Sequence, residues 1–482
     1  MNNKSKTNIN NPFQPGFGAP PPILAGRDML KNNFRDRLSG IKNGVCNPTA
    51  IVLTGPRGCG KTVLLEWLEG EAEKRKLTVI NVARENFSSI GNLLQSLYKQ
   101  MSWADRAKAI FFKPLKGRVG NPELSAELQA DIRYYQTSDH PSGHFFRELL
   151  QKISRKKPVI LIDEAHNMPP EVGSIFYDAY QTVSQHHPIM LVIAGTPDLK
   201  TVLARSHATF TERANFERIG RLPRDESNRA LSTPFKNKNR PLQSDVMEKV
   251  LDEAQDYPYF LQLWGQALWN VMDMYHTCTD TRLMLAKARE LTRQDHLELY
   301  SYRLQEMRNN NLLVPIAEMA WRVGPDRQPT RYDFELTVRH LSHDTPEQGG
   351  MDQSRAEQKL LHTGFIWEPK FGNWEFGIPS LASYIRKDAV RHLLASLQGD
   401  GNVHALKKLA DCFGPPTNQP MVISIDKLKI VLDQNHHIAN AKLKQFRSMK
   451  VLVADAVPDH VRLMVPNLVQ AIVAEASKQK LL

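Results

Sequence analysis

Cysteine is scarce: four in 482 residues, at Cys46, Cys59, Cys278 and Cys412, without paired spacing. That excludes a disulfide-stapled scaffold and points to a reducing compartment. Long apolar runs are missing as well. None approaches the roughly 18 residues of a membrane-spanning helix, and the polar start Met1-Asn2-Asn3-Lys4 lacks a signal-peptide core. The expectation is a cytoplasmic protein with no membrane partner. Metal-ligand spacing is absent too. His140 and His144 stand four apart, but Pro141 and Gly143 between them break the helical face a paired site needs, and His276 and Cys278 lack further partners. His186-His187 and His436-His437 read as surface. No serine or cysteine triad has local support.

What is present is ordinary in bulk. Hydrophobic content of 41% and charged content of 24% suffice for packed cores. The length suggests about three domains. A net charge of +12 admits a polyanion partner, duplex DNA included, but reports no specific binding.

One stretch is distinctive. An apolar β-prone run at 50–53 leads into Gly55-Pro56-Arg57-Gly58-Cys59-Gly60-Lys61-Thr62, and Val63 begins an apolar continuation. Strand, glycine loop, then helix is the setting of a phosphate-binding loop. Glycines allow positive φ, so backbone N–H groups can wrap an anion, and the helix start adds its positive dipole end. Lys61 is placed to reach the β- and γ-phosphates of ATP, and Thr62 to ligate Mg²⁺.

The chain around the loop supplies further parts. Residues 1–22, rich in Asn, Pro and Gly, read as an extended arm, which can fold over an adenine ring or serve as a plain linker. A helix follows from Asp28, which is expected to cap it. Strands are expected at 77–83, 158–162, 189–194 and 216–222, with helices between them and an insertion at about 102–140. Asp163 and Glu164 end the third of these five strands, where open α/β sheets place ligands. Asp163 would hold Mg²⁺, and Glu164 would polarise water. Thr196, leaving the fourth strand, is the candidate to feel hydrolysis. Among Arg205, Arg213, Arg218 and Arg221, Arg213 is favoured for transition-state charge, with a surface ion pair as the alternative. Residues 225–302 read as a helical lid whose Phe260, Leu263, Trp264, Ala267 and Leu268 share one packing face.

Beyond 303 the pattern changes to three short helices and a β-hairpin with Gly-Asn at its tip, the order of a winged helix over 303–395. Such a module reads DNA or contacts protein. Residues 396–482 form a small α/β unit with a basic cluster, Lys442, Lys444, Arg447 and Lys450, weighed against a solvated face.

Together, the loop, the Asp163-Glu164 strand and the arginine near the fifth strand resemble AAA+ ATPases, on the branch of replication-initiator and STAND-type proteins. The segment 12–28, ending Gly26-Arg27-Asp28, is similar to that branch's opening segment, which lines the adenine pocket. Thr211-Glu212-Arg213 resembles its arginine-finger box, and 377–384 the end of its winged-helix domain. The resemblance implies a five-stranded parallel α/β domain over 23–224, a lid, and ATP with Mg²⁺. It also implies nucleotide-dependent homo-oligomers, and Gly26, Arg27 and Pro258 at the nucleotide. Two departures stand out: Lys61 and Asp163 are 102 positions apart, and Asp256-Tyr257-Pro258 replaces the initiators' Gly-x-Arg, a leaning toward STAND-type switches. The function expected is an ATP-hydrolysing switch. The alternatives are an initiator-like or regulatory DNA-binding protein and a signalling or defence ATPase that recruits a protein effector.

Overall fold

The computed structural model describes residues 11–16, 20–46, 49–99, 142–275, 280–325, 327–342, 353–397, 401–417, 421–449, 451–455, 457–479 and 481. The insertion expected at about 102–140, and with it His140, His276, Cys278 and Lys450, falls outside them. The chain divides into two compact units, Met1–Thr292 and Arg293–Leu482.

In the first unit, α1 (Asp28–Lys42) precedes β1 (Ile51–Thr54), α2 (Lys61–Lys74), β2 (Val79–Val82) and α3 (Ile90–Lys99). Then come α4 (Ser142–Ser154), β3 (Val159–Ile162), α5 (Pro170–Ser184), β4 (Met190–Gly195), α6 (Leu199–Ser206), α7 (Ala208–Arg213) and β5 (Asn215–Arg218). The strands form one parallel sheet in the order β2-β3-β4-β1-β5. Strands β1, β3 and β4 are buried throughout. Their side chains alternate between two cores. Val52, Ile160, Ile162 and Ile193 pack with α3, α4 and α5, while Ile51, Leu53, Leu161 and Val192 pack with α1 and α2. Helices on both faces explain why these strands read as unbroken apolar runs. The fold is α/β, a five-stranded parallel sheet between helical layers.

Two expectations are corrected. Asp28 is not the cap of α1: Arg27 takes the non-helical φ of −130°, and Asp28 is the first helical residue, its Oδ1 2.5 Å from Lys31 Nζ. The fifth strand spans Asn215–Arg218, not 216–222, because its pairing with β1 ends where Thr54 gives way to the loop.

The helical segment comprises α8 (Arg224–Asn237), α9 (Ser244–Ala254) and α10 (Pro258–Met274). Phe260, Leu263, Trp264, Ala267 and Leu268 of α10 are all buried. The arm joins this segment. Phe13 is fully buried, its ring 5.2 Å from that of Phe235, and Asn11 Nδ2 donates to Gln266 O at 3.1 Å and Asn270 Oδ1 at 2.9 Å. A Cβ on Gly265 would lie 2.4 Å from Phe13 Cδ1, so only glycine leaves room for the ring. Residues 11–13 are therefore a strap on this helical segment. Helix α11 (Thr281–Asn309) crosses the division between the units. No Gly or Pro interrupts it, so neither 292 nor the expected boundary at 302 carries a break in pattern.

The second unit continues with α12 (Leu313–Val323), α13 (Arg331–Ser342), α14 (Gln353–His362), the antiparallel hairpin β6 (Ile366–Lys370) and β7 (Asn373–Phe376), and α15 (Leu381–Leu397). It ends with α16 (Asn402–Phe413), β8 (Met421–Ser424), α17 (Ile425–Leu432), α18 (His436–Ser448), β9 (Leu452–Ala454), β10 (His460–Leu463) and α19 (Pro466–Lys478). The last three strands form an antiparallel sheet in the order β8-β10-β9.

Candidate nucleotide site

The loop between β1 and α2 is tightly determined. A Cβ on Gly55 would sit 2.0 Å from the Ile219 carbonyl oxygen, so the chain leaving β5 admits nothing larger there. Gly58 and Gly60 take φ of +87° and +95°, and Gly60 is the N-cap of α2. Positive-φ glycines at such positions let a loop turn successive N–H groups toward one point, an arrangement suited to phosphate. Cys59 is buried beneath it. The Lys61 side chain is folded inward: Nζ donates to the carbonyls of Gly55 at 2.8 Å and Pro56 at 2.9 Å.

Parallel pairing through β4 brings β3 to the same edge of the sheet as β1. Thr62 Oγ1 donates to Asp163 Oδ2 at 2.7 Å across 101 residues, and Asp163 Oδ1 accepts from the Glu164 N–H at 2.8 Å. Glu164 has left-handed backbone (φ +52°), which swings its half-exposed carboxylate out of the strand direction. Nearby, burial and then the charges of Glu69 and Asp163 push the Glu66 carboxyl above its usual range. An acidic field beside paired hydroxyl and carboxylate oxygens suits a divalent cation. Among the described residues no group of three or more His, Cys, Asp or Glu could hold a metal by itself. Thr62 Oγ1 and Asp163 Oδ2 therefore offer two adjacent oxygen donors, which fits a divalent cation that takes its remaining ligands from outside the protein.

The sequence did not single out two neighbours of this site. His166 is buried, with Nε2 3.3 Å from Glu164 Oε2, and Asn167 Nδ2 donates to the Glu164 carbonyl at 3.1 Å. The Tyr257 hydroxyl donates to the Arg57 carbonyl, and its ring closes over Gly58, where a Cβ would lie 3.1 Å from Tyr257 Cε1. The lid helix α10 starts at Pro258, so Pro258 reaches the loop through Tyr257. Only the adjacency of Tyr257 to Pro258 could have flagged it.

The remaining candidates occupy distinct places. Arg27 Nη2 donates to the Gly220 carbonyl at 2.5 Å, and desolvation lowers its pKa below the usual arginine value. Gly26 N–H donates to Glu226 Oε2 at 2.7 Å. Arg27 thus holds the connection from β5 to α8, and Gly26 the first turn of α8. Thr196 is buried, and its hydroxyl donates to Asp198 Oδ1 at 2.6 Å. Arg213 is exposed at the end of α7. That helix is fixed by Phe210, whose ring stacks on Tyr177 at 4.5 Å, and by His207 Nδ1, which accepts from the Phe210 N–H at 3.1 Å.

No curated protein matches the sequence. Among solved structures, the chain is similar to the Walker-type ATPase PABY2304 of Pyrococcus abyssi at 17% identity and a TM-score of 0.48, over 74% of this chain and 95% of that one. It is similar to the RuvB Holliday junction branch migration motor of Thermotoga maritima at 14% identity and a TM-score of 0.39, over 77% and 95%. It is also similar to the ADP form of the Aeropyrum pernix ORC2 protein at 11% identity and a TM-score of 0.42, over 78% and 97%. Likeness of this degree speaks to no activity. The segment that holds the loop, Asp163, Glu164 and Thr196 is matched more directly: residues 46–203 fit the family model described as AAA domain, and the chain carries that domain there.

Proposed function

We propose that this chain is an ATP-binding and ATP-hydrolysing switch. The observation that carries the reading is the 2.7 Å contact between Thr62 and Asp163 at the mouth of the glycine loop. The N–H groups of Gly58, Cys59, Gly60, Lys61, Thr62 and Val63 would cradle the phosphates, with Gly55, Pro56 and Arg57 shaping the loop. Lys61 would exchange its loop carbonyls for phosphate oxygens. Thr62 and Asp163 would hold Mg²⁺, which neutralises charge developing on the phosphates. Glu164 would orient the attacking water, released from or guided by His166. Thr196 stands at the end of β4 to report the cleaved phosphate, and Gly26, Arg27 and Pro258 border the nucleotide's base side.

Arg213, exposed on an anchored helix, would complete the site of a second copy, which makes self-association nucleotide-dependent. The C-terminal modules would then engage a partner according to nucleotide state. That partner is DNA in this reading, for which the charge of +12 leaves room, with a protein effector as the alternative. The test is Lys61→Ala in the full chain, with ATP binding followed by calorimetry. Affinity should drop roughly 100-fold, as expected when a charge-assisted phosphate contact is removed. Unchanged affinity would remove the loop from the account.

A further inference from the structure

The small unit after residue 400 has an order its sequence does not announce. Helix α16, strand β8, helices α17 and α18, and hairpin β9–β10 follow one another, and β10 pairs antiparallel with both β8 and β9. Only Asp433-Gln434-Asn435 separates α17 from α18. Asn435 caps the second helix, its Oδ1 accepting from the N–H of His437 at 2.9 Å. Two packed helices joined by so short a turn share the connection length of helix-turn-helix modules, in which the second helix enters a DNA major groove.

The composition of α18 agrees. Ala439, Leu443 and Phe446 are buried. The opposite face carries His437, Asn440, Ala441, Lys444, Arg447 and Ser448, all exposed and at helical spacing. Nothing acidic occurs from 436 to 450. The acid of the turn, Asp433, is paired with Lys442 at 3.2 Å, and Asp455 of the hairpin with Arg462 at 2.7 Å. Exposed Asp426 and Asp459 lie on other elements, at the start of α17 and beside β10. Across 401–479 there are ten Lys or Arg against six Asp or Glu.

We propose that the outward face of α18 is a duplex-DNA-binding surface. Lys444 and Arg447 supply phosphate or guanine contacts, Asn440 matches an adenine edge, and Ala441 keeps the face low enough for close approach. RNA duplexes fit less well, since their major groove is too deep and narrow for side chains to read. The proposal rests on the reading that the C-terminal modules engage DNA and names the face that does so; it does not depend on ATP turnover.

The test is fluorescence anisotropy of the full chain with a labelled mixed-sequence DNA duplex across a salt series. Wild-type affinity should fall linearly in log salt. Lys444→Ala with Arg447→Ala should reduce that slope by about 2, one per cation removed, and weaken binding about tenfold or more at low salt. Lys478→Ala, an exposed cation on α19, should change neither the slope nor the affinity, and ATP hydrolysis by the double variant should equal wild type. Lys444→Gln and Arg447→Gln, each alone, should lower the slope by about 1 and show the effect is not unfolding. The proposal is overturned if wild type does not bind duplex, if the double variant binds as tightly as wild type, or if Lys478→Ala causes the same loss.

Discussion

Each unit buries a glutamate, and the two are held in opposite ways. In the first unit Glu71 of α2 meets Lys74, Arg75 and Arg35 at 2.8 to 3.3 Å, and these bonds, led by Lys74, hold its carboxyl down to about 2. In the second unit Glu318 of α12 is buried with Arg322 at 3.5 Å as its nearby cation. Its oxygens accept from Asn467 Nδ2 at 2.7 Å and from the Leu468 N–H at 2.8 Å, so it caps the start of α19. Desolvation outweighs these contacts and pushes its carboxyl above the usual glutamate range. The lesson is that burial alone does not set the sign: three cations at hydrogen-bond distance lower a carboxyl, whereas one arginine at 3.5 Å together with neutral N–H partners in a drier site leaves desolvation in charge. Glu164 beside the glycine loop, by contrast with both, keeps its carboxylate half-exposed to water.

The comparison can be broken or sharpened by substitution. The largest effect belongs to the first unit's apolar anchor. Phe13→Ala empties a fully buried ring site between Phe235 and Gly265 and should cost about 4 kcal/mol, read by chemical denaturation. Glu318→Ala should cost about 3 kcal/mol, because two backbone N–H groups of α19 lose a buried acceptor. Hydrogen exchange should show the loosening at Asn467 and Leu468.

The smallest effects are the pH slopes. Glu71 contributes stability above its ordinary value of 4.5 that is lost as pH falls toward about 2. With Lys74 solvent-exposed, screening holds that contribution to about 1 kcal/mol. Glu318, shifted upward, contributes stability that is full below its ordinary value and is lost as pH rises through its folded value. Glu71→Gln should flatten the acid limb and Glu318→Gln the opposite one. Slopes of the same sign for both residues would contradict the contrast.

Local patterns made much of the first unit legible. Runs such as 159–162 carry strand identity because both faces are buried, and the glycine loop carries its own geometry. Contacts set by distant pairing were not legible. Tyr257 meets the loop 200 residues upstream, and Phe13 reaches a helix more than 200 residues downstream. Neither leaves a periodic trace. The C-terminal unit was expected to be α/β, but its strands could not be placed for a different reason: β8, β9 and β10 have three or four residues each, too few for alternation to show. His166 was passed over because a single histidine beside an acid pair carries no spacing of its own.

The central claim is that Glu164 manages water for a nucleotide held by Lys61, Thr62 and Asp163. Single-turnover hydrolysis of ATP by wild type and by Glu164→Gln, with ATP affinity measured on the same samples, tests it most directly. The account predicts unchanged affinity and a hydrolysis rate lowered by roughly 100-fold or more. Equal rates in the two proteins would contradict it.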